Sequence, residues 1–122
     1  MAPPAKCFED LWIWQQARLL VRSVYTDFGR DTPASRDFAF CSQIQRAAIS
    51  IMNNIAEGFE RSTDPDHVRF LDIAKSSCSE VRSMYYAAED LNYLSPSTSE
   101  ERRQFVRRLV AGIASLQAHL RK

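Results

Sequence analysis

The sequence predicts an all-α fold, an antiparallel up-down four-helix bundle, on three observations. Apolar residues recur at spacings of three and four through four separate stretches. Short clusters of Gly, Pro and Asp divide those stretches. No alternating apolar–polar run suggests a strand, and the 122 residues hold only 3 Gly and 5 Pro. With 45% hydrophobic and 25% charged residues the chain can build one core, so a single domain is expected and global disorder is excluded. Residues 1–8 read as a flexible N-terminal tail, because Pro3 and Pro4 hold it extended, and residues 9–122 as the domain.

The first helix is expected from about Leu11 to Phe28, on Leu11, Trp14, Ala17, Val21, Val24, Tyr25 and Phe28, with Gly29 as its C′ glycine. The second runs from Ser35 to Glu57. Cys41, Ile44, Ala48, Ile51 and Ile55 form its core stripe, Ile49, Met52 and Ala56 widen it, and Gly58 is expected as a left-handed C′ residue. The third begins at Asp64-Pro65, a preferred N-cap followed by a preferred first helical residue. Its stripe is Leu71, Ala74, Cys78, Val81, Tyr85 and Ala88, and its expected end lies near Leu94. The fourth follows Ser95-Pro96-Ser97, with Ser97/Glu100 and Thr98/Glu101 as capping boxes and Phe105, Leu109, Ile113, Leu116 and Leu120 as its apolar face.

No window approaches the ~18 apolar residues of a membrane span, and Glu9 and Asp10 break any leader-like run, so a cytoplasmic protein with no membrane partner is expected. The three cysteines, Cys7, Cys41 and Cys78, form no Cys-x-x-Cys pair, and the last two read as small buried hydrophobes. His67 and His119 are the only histidines. His67 falls beside Asp64 and Asp66, but a capped, solvated helix start explains that group better than a metal site. No Glu-x-x-His motif, phosphate-binding glycine loop or nucleophile constellation is present. No enzyme activity, metal or cofactor is therefore expected.

One segment is distinctive. It reads Gln43, Arg46, Ala47, Ser50, Ile51, Asn53, Asn54, Ile55, Ala56, Glu57 and Gly58, followed by Arg61, and later by Phe70, Leu71, Ala74, Ser77 and Glu80. Phe8, Leu11 and Trp14 upstream, and Leu91, Asn92 and Leu94 downstream, extend the same pattern. This pattern resembles the bacterial four-helix-bundle family encoded by 23S rRNA intervening sequences, over nearly the whole chain. Met52 and Gln45 depart from it, standing where the family often has a small residue or proline and a second basic residue. The resemblance implies a homopentameric ring. It also implies relatives such as the accessory protein of diversity-generating retroelements, which is associated with nucleic acid and a reverse transcriptase.

On a helical wheel Gln43, Arg46, Ser50, Asn53 and Glu57 form one polar stripe. Its short hydrogen-bonding groups suggest a polar subunit interface or shallow site, in which Arg46 would meet a carboxylate such as Glu80 or another chain's Glu57. Asn54 and Gly58 would close the helix, and Glu57 near a C-terminus calls for a partner, with Arg61 nearest. A plain solvated stripe is the alternative.

The formal net charge of +1 hides a cancellation. Residues 63–96 carry three basic and six acidic groups, while residues 97–122 carry six basic and two acidic. Arg102, Arg103, Arg107 and Arg108 make a basic band on the fourth helix. It reads either as pairing with the acidic third helix or as a nucleic-acid surface multiplied by ring symmetry. The leading expectation is a non-catalytic, homo-oligomeric scaffold that binds RNA or a nucleic-acid-processing protein. A self-assembling structural protein without nucleic acid comes second, and a small-molecule or metal-binding bundle third.

Overall fold

The structure, a computed structural model, describes residues 4–122. A single 3-10 turn, Phe8–Asp10, precedes four helices: α1 (Trp12–Phe28), α2 (Phe38–Phe59), α3 (Asp64–Asp90) and α4 (Pro96–Leu120). No strand occurs among the described residues. Of the tail expected over residues 1–8, residues 1–3 lie outside the described residues. Two residues of the remainder, Lys6 and Phe8, make contacts with the residues that follow. The Lys6 backbone N–H donates to the Asp10 carboxylate at 3.0 Å, and the Phe8 ring meets Trp14 edge-on, centroids 5.1 Å apart.

The helix ends follow capping chemistry, with several shifts from the expected positions. Asp37, not Ser35, opens α2: one carboxylate oxygen accepts the Phe40 N–H at 3.1 Å and the other accepts the Tyr93 hydroxyl at 2.6 Å. Those two bonds hold the Asp37 carboxyl below the usual range. Thr63, one residue before the expected Asp64, caps α3 by accepting the Asp66 N–H. Ser95, rather than Ser97 or Thr98, caps α4 by accepting the Thr98 N–H at 3.1 Å.

Neither expected glycine stop is left-handed. Gly29 is extended, at φ −90° and ψ −154°, and a Cβ there would run into the Tyr25 carbonyl oxygen. Gly58 lies buried inside α2, and its role as a left-handed stop is overturned. A Cβ on it would meet Phe70 Cβ at 2.9 Å and His67 Cδ2 at 3.0 Å, so its bareness lets α3 approach α2. The left-handed stop belongs instead to Asn92, at φ 61°, two residues beyond Asp90, the last helical residue of α3, so the helix stops short of the expected Leu94. Its geometry lets the Tyr93 N–H reach back to the Ala88 carbonyl at 2.9 Å.

Each helix packs on the next, and α1 closes back onto α4. Hydrogen bonds between neighbours join opposite ends, so consecutive helices run in opposite directions. Gln45 on α2 donates to the Phe28 carbonyl at the end of α1. Ser50 and Ser77 join the middles of α2 and α3 at 2.9 Å. Ser99 on α4 donates to the Tyr85 carbonyl on α3, and Gln117 near the α4 end donates to the Val68 carbonyl near the α3 start. The core is one apolar cluster drawn from all four helices, including Leu20, Phe28, Ile44, Ile51, Leu71, Val81, Leu109 and Ile113. Burying each such side chain contributes about 1.5–3 kcal/mol, which makes this cluster the main source of stability.

Candidate functional site

The four arginines of the α4 band divide into two pairs with different fates. Arg102 turns inward. Its Nε and Nη2 donate to the two oxygens of Asp27 on α1, at 2.7 and 3.1 Å. The Tyr85 hydroxyl, from α3, donates to Asp27 Oδ2 at 2.8 Å. The Asp27 side chain is only 8% exposed and that of Arg102 23%, so this three-helix junction is a largely desolvated, charge-assisted cluster. The Asp27 hydrogen bond holds the guanidinium of Arg102 above its ordinary range, and burial pushes the Tyr85 phenol well up. Arg103 is also engaged. It donates to Glu89 of α3 at 3.0 Å and to the Ser99 hydroxyl, and it lies 4.0 Å over the Tyr86 ring.

Arg107 and Arg108 remain on the exposed face and form no ion pair among the described residues. Arg108 lies 5.8 Å over the Phe105 ring. Phe105 in turn lines a groove of about 430 Å³ between α1 and α4, whose α1 wall includes Leu19 and Arg22. Further along α1, exposed Arg18 lies 5.8 Å over Trp14. The exposed positive surface thus spans α1 and α4 rather than α4 alone. Sequence reasoning missed the α1 half because Arg18 and Arg22 are scattered singly. It missed Asp27 because that carboxylate finds its arginine 75 residues away.

The polar stripe of α2 has mostly internal business. Gln43 Nε2 donates to Glu80 at 3.1 Å, taking the carboxylate expected for Arg46. Ser50 meets Ser77, and Asn54 donates back to the Ser50 carbonyl and hydroxyl. Small groups suit this face because α3 comes close to it, with Phe70 Cβ 2.9 Å from where a Cβ on Gly58 would stand. Arg46, Asn53 and Glu57 are not buried. Arg61, expected to serve Glu57, instead pairs with Asp66 at 3.4 Å and lies over Phe70.

His67 is buried rather than solvated, at 8% exposure, and its Nε2 has no partner. Desolvation lowers its pKa below the ordinary value, more than neighbouring Asp64 raises it. No three His, Cys, Asp or Glu side chains converge as a metal set among the described residues. Cys41 and Cys78 are buried, and burial pushes the Cys78 thiol up to about 12. No described helix is long and apolar enough to cross a membrane.

A family model described as 23S rRNA-intervening sequence protein covers residues 9–115. A solved structure from Bacteroides thetaiotaomicron, of a protein of unknown function in the S23 ribosomal protein family, superposes with a TM-score of 0.80 at 16% identity, over 87% of this chain and 95% of that one. Among curated proteins none matches.

Proposed function

The chain belongs to the 23S rRNA-intervening sequence protein family, and from that membership we propose that it is a non-catalytic, cytoplasmic scaffold that binds RNA. Its binding face is the α1–α4 surface carrying Arg18, Arg22, Arg107 and Arg108. The observation that carries this reading is the support beneath the arginines. Arg18 and Arg108 are exposed, make no ion pair among the described residues, and lie over Trp14 and Phe105. Arginine planes held this way present charge to phosphates and a flat face to unstacked bases. Arg102 and Arg103, paired internally, position this surface instead of contacting ligand.

The scaffold assembles with copies of itself, as a pentameric ring. Large apolar side chains left at the surface, Trp12 at 52% and Phe38 at 79% exposure among them, are the surface such assembly would cover. Arg46, Asn53 and Glu57 on α2 are the polar part of the same proposal. Replacing Arg46 by alanine tests them by light-scattering mass, and an unchanged oligomer removes them from the interface. The internal pairing of Arg102 and Arg103 favours a second reading, a self-assembling protein without nucleic acid. A titration against structured and single-stranded RNA at several salt concentrations separates the two. Affinity should fall steeply with salt. Changing Arg107 and Arg108 together to glutamate should weaken binding and flatten the salt slope, by about 0.7–0.9 for each phosphate no longer neutralised. Unchanged affinity and slope in that variant overturn the RNA reading.

A further inference from the structure

The other end of the molecule carries a cavity that neither the arginine face nor the α2 stripe uses. It has a volume of about 320 Å³ and lies where the α2 end, the α3 start and the α4 end meet, with Pro4, Ala5 and Leu11 of the N-terminal segment also in its wall. Phe59, Leu116 and Leu120 give it an apolar lining. Both histidines of the chain, His67 and His119, and the carboxylate of Asp64 contribute to its walls. A second cavity of about 480 Å³ shares Leu11, Leu116 and His119 with it, so the apolar lining continues toward α1.

Three features point to an occupant. His67 is more than nine-tenths buried, yet its Nε2 has no hydrogen-bond partner. A buried ring nitrogen left alone calls for a partner from outside the chain, a water or a ligand group. Asp64 is exposed and makes no ion pair among the described residues; Arg61, which also lines the cavity, shares the Asp66 carboxylate with Arg69 and lies over the Phe70 ring. A helix start would ordinarily favour an anion, but Asp64 and Asp66 already fill the first turn of α3 with negative charge.

We propose that this cavity binds a small primary amine with an aromatic or branched apolar body. The ammonium is placed at Asp64 with an N–H available to the neutral His67, and the body lies on Phe59, Leu116 and Leu120. Concave, mostly apolar sites with a few convergent polar groups are the usual form of small-ligand sites, and this volume lies at the lower end of their range.

Titration calorimetry at pH 7.5 with phenethylamine, 2-phenylethanol and phenylacetate tests the assignment. The amine should bind saturably, the alcohol about tenfold more weakly for want of a charge-assisted bond, and the acid more weakly again. Asp64→Asn should reduce the amine to the affinity of the alcohol. Leu116→Trp should abolish binding of both by filling the cavity, and His119→Trp, at an exposed wall position, does the same if the first variant loses its helical circular dichroism. Absence of saturable amine binding overturns the proposal. So does an affinity untouched by Asp64→Asn, by the filling variant, or by exchanging the amine for the acid. The RNA titration reads a different face, so either proposal can fail alone.

Discussion

Asp27 ties three helices together through one carboxylate. Tyr85 from α3 and Arg102 from α4 both donate to it, and its side chain is 8% exposed. Removing it leaves a mostly desolvated guanidinium and a buried phenol without their acceptor. Asp27→Ala is therefore expected to cost about 2–3 kcal/mol, somewhat below a fully buried pair because Arg102 keeps some water. Urea unfolding measures this. The double variant Asp27→Ala/Arg102→Met should lose less than the two single changes summed, since no charge is then stranded. Additive losses would mean the pair is not coupled. Sequence reasoning placed Arg102 in a basic band, because residue type and helical angle are local and the buried acceptor is not. Gly58 failed for the opposite reason. Its position near a helix end was legible, but the physical demand on it is the close approach of Phe70, 2.9 Å from where a Cβ would stand, which exists only once α3 has packed.

The helices differ in how fully their buried faces could be read. In α3 every residue of the expected stripe, Leu71, Ala74, Cys78, Val81, Tyr85 and Ala88, is fully buried. Polar neighbours on both sides of its middle, Ser77 and Ser79 around Cys78 and Glu80 and Arg82 around Val81, fix its register. In α1 the runs Trp12-Ile13-Trp14 and Leu19-Leu20-Val21 offer several apolar faces. The fold selects Ile13 and Leu20, leaving expected Tyr25 at the surface. In α4 the core takes Val106 and Gln117. The buried glutamine is half satisfied: its Nε2 donates to the Val68 carbonyl and to Asp72, neither of which is near in sequence, while its Oε1 has no partner among the described residues. Element ends were less legible than faces. Asn92 at φ 61° ends α3 where no glycine marked the site. A side chain with a Cβ is strained in that conformation, and asparagine less than most. Asn92→Ala is expected to lower stability by about 1 kcal/mol, and Asn92→Gly to leave it within a few tenths. Thermal unfolding of the two variants checks this. Equal loss in both would assign the effect to the Asn side chain instead.

For the molecule as a whole, the net charge of +1 resolves into an acidic α3 and a basic α4 that are only partly cancelled by contact. Stability should depend on pH through a few buried or hydrogen-bonded groups, and these bound it on both sides. His67 has a folded pKa below its ordinary 6.5, because burial outweighs Asp64. Its contribution is complete above pH 6.5 and is lost as pH falls toward the folded value, since the unfolded chain takes up the proton first. Asp37 and Asp72, held below 3.8 chiefly by Tyr93 and Gln117, add a second acid loss as pH falls from 3.8 through their folded values. Cys78 acts at the other side. Its unfolded thiol ionises near 9.0 while the buried one holds its proton to about 12. Stability should then fall from pH 9 upward with a limiting slope of about 1.4 kcal/mol per pH unit for this one group. A plateau between about pH 6.5 and 9, with losses on both sides, is the expected profile by urea unfolding. His67→Gln should remove the shoulder just below pH 6.5 and leave the alkaline limb unchanged. Cys78→Ala should lower the whole curve by the cavity it opens and make the alkaline limb shallower, leaving the part that Cys41, Tyr85 and Tyr93 carry. If His67→Gln keeps the shoulder, protonation of the α3 start is not what acid acts on first.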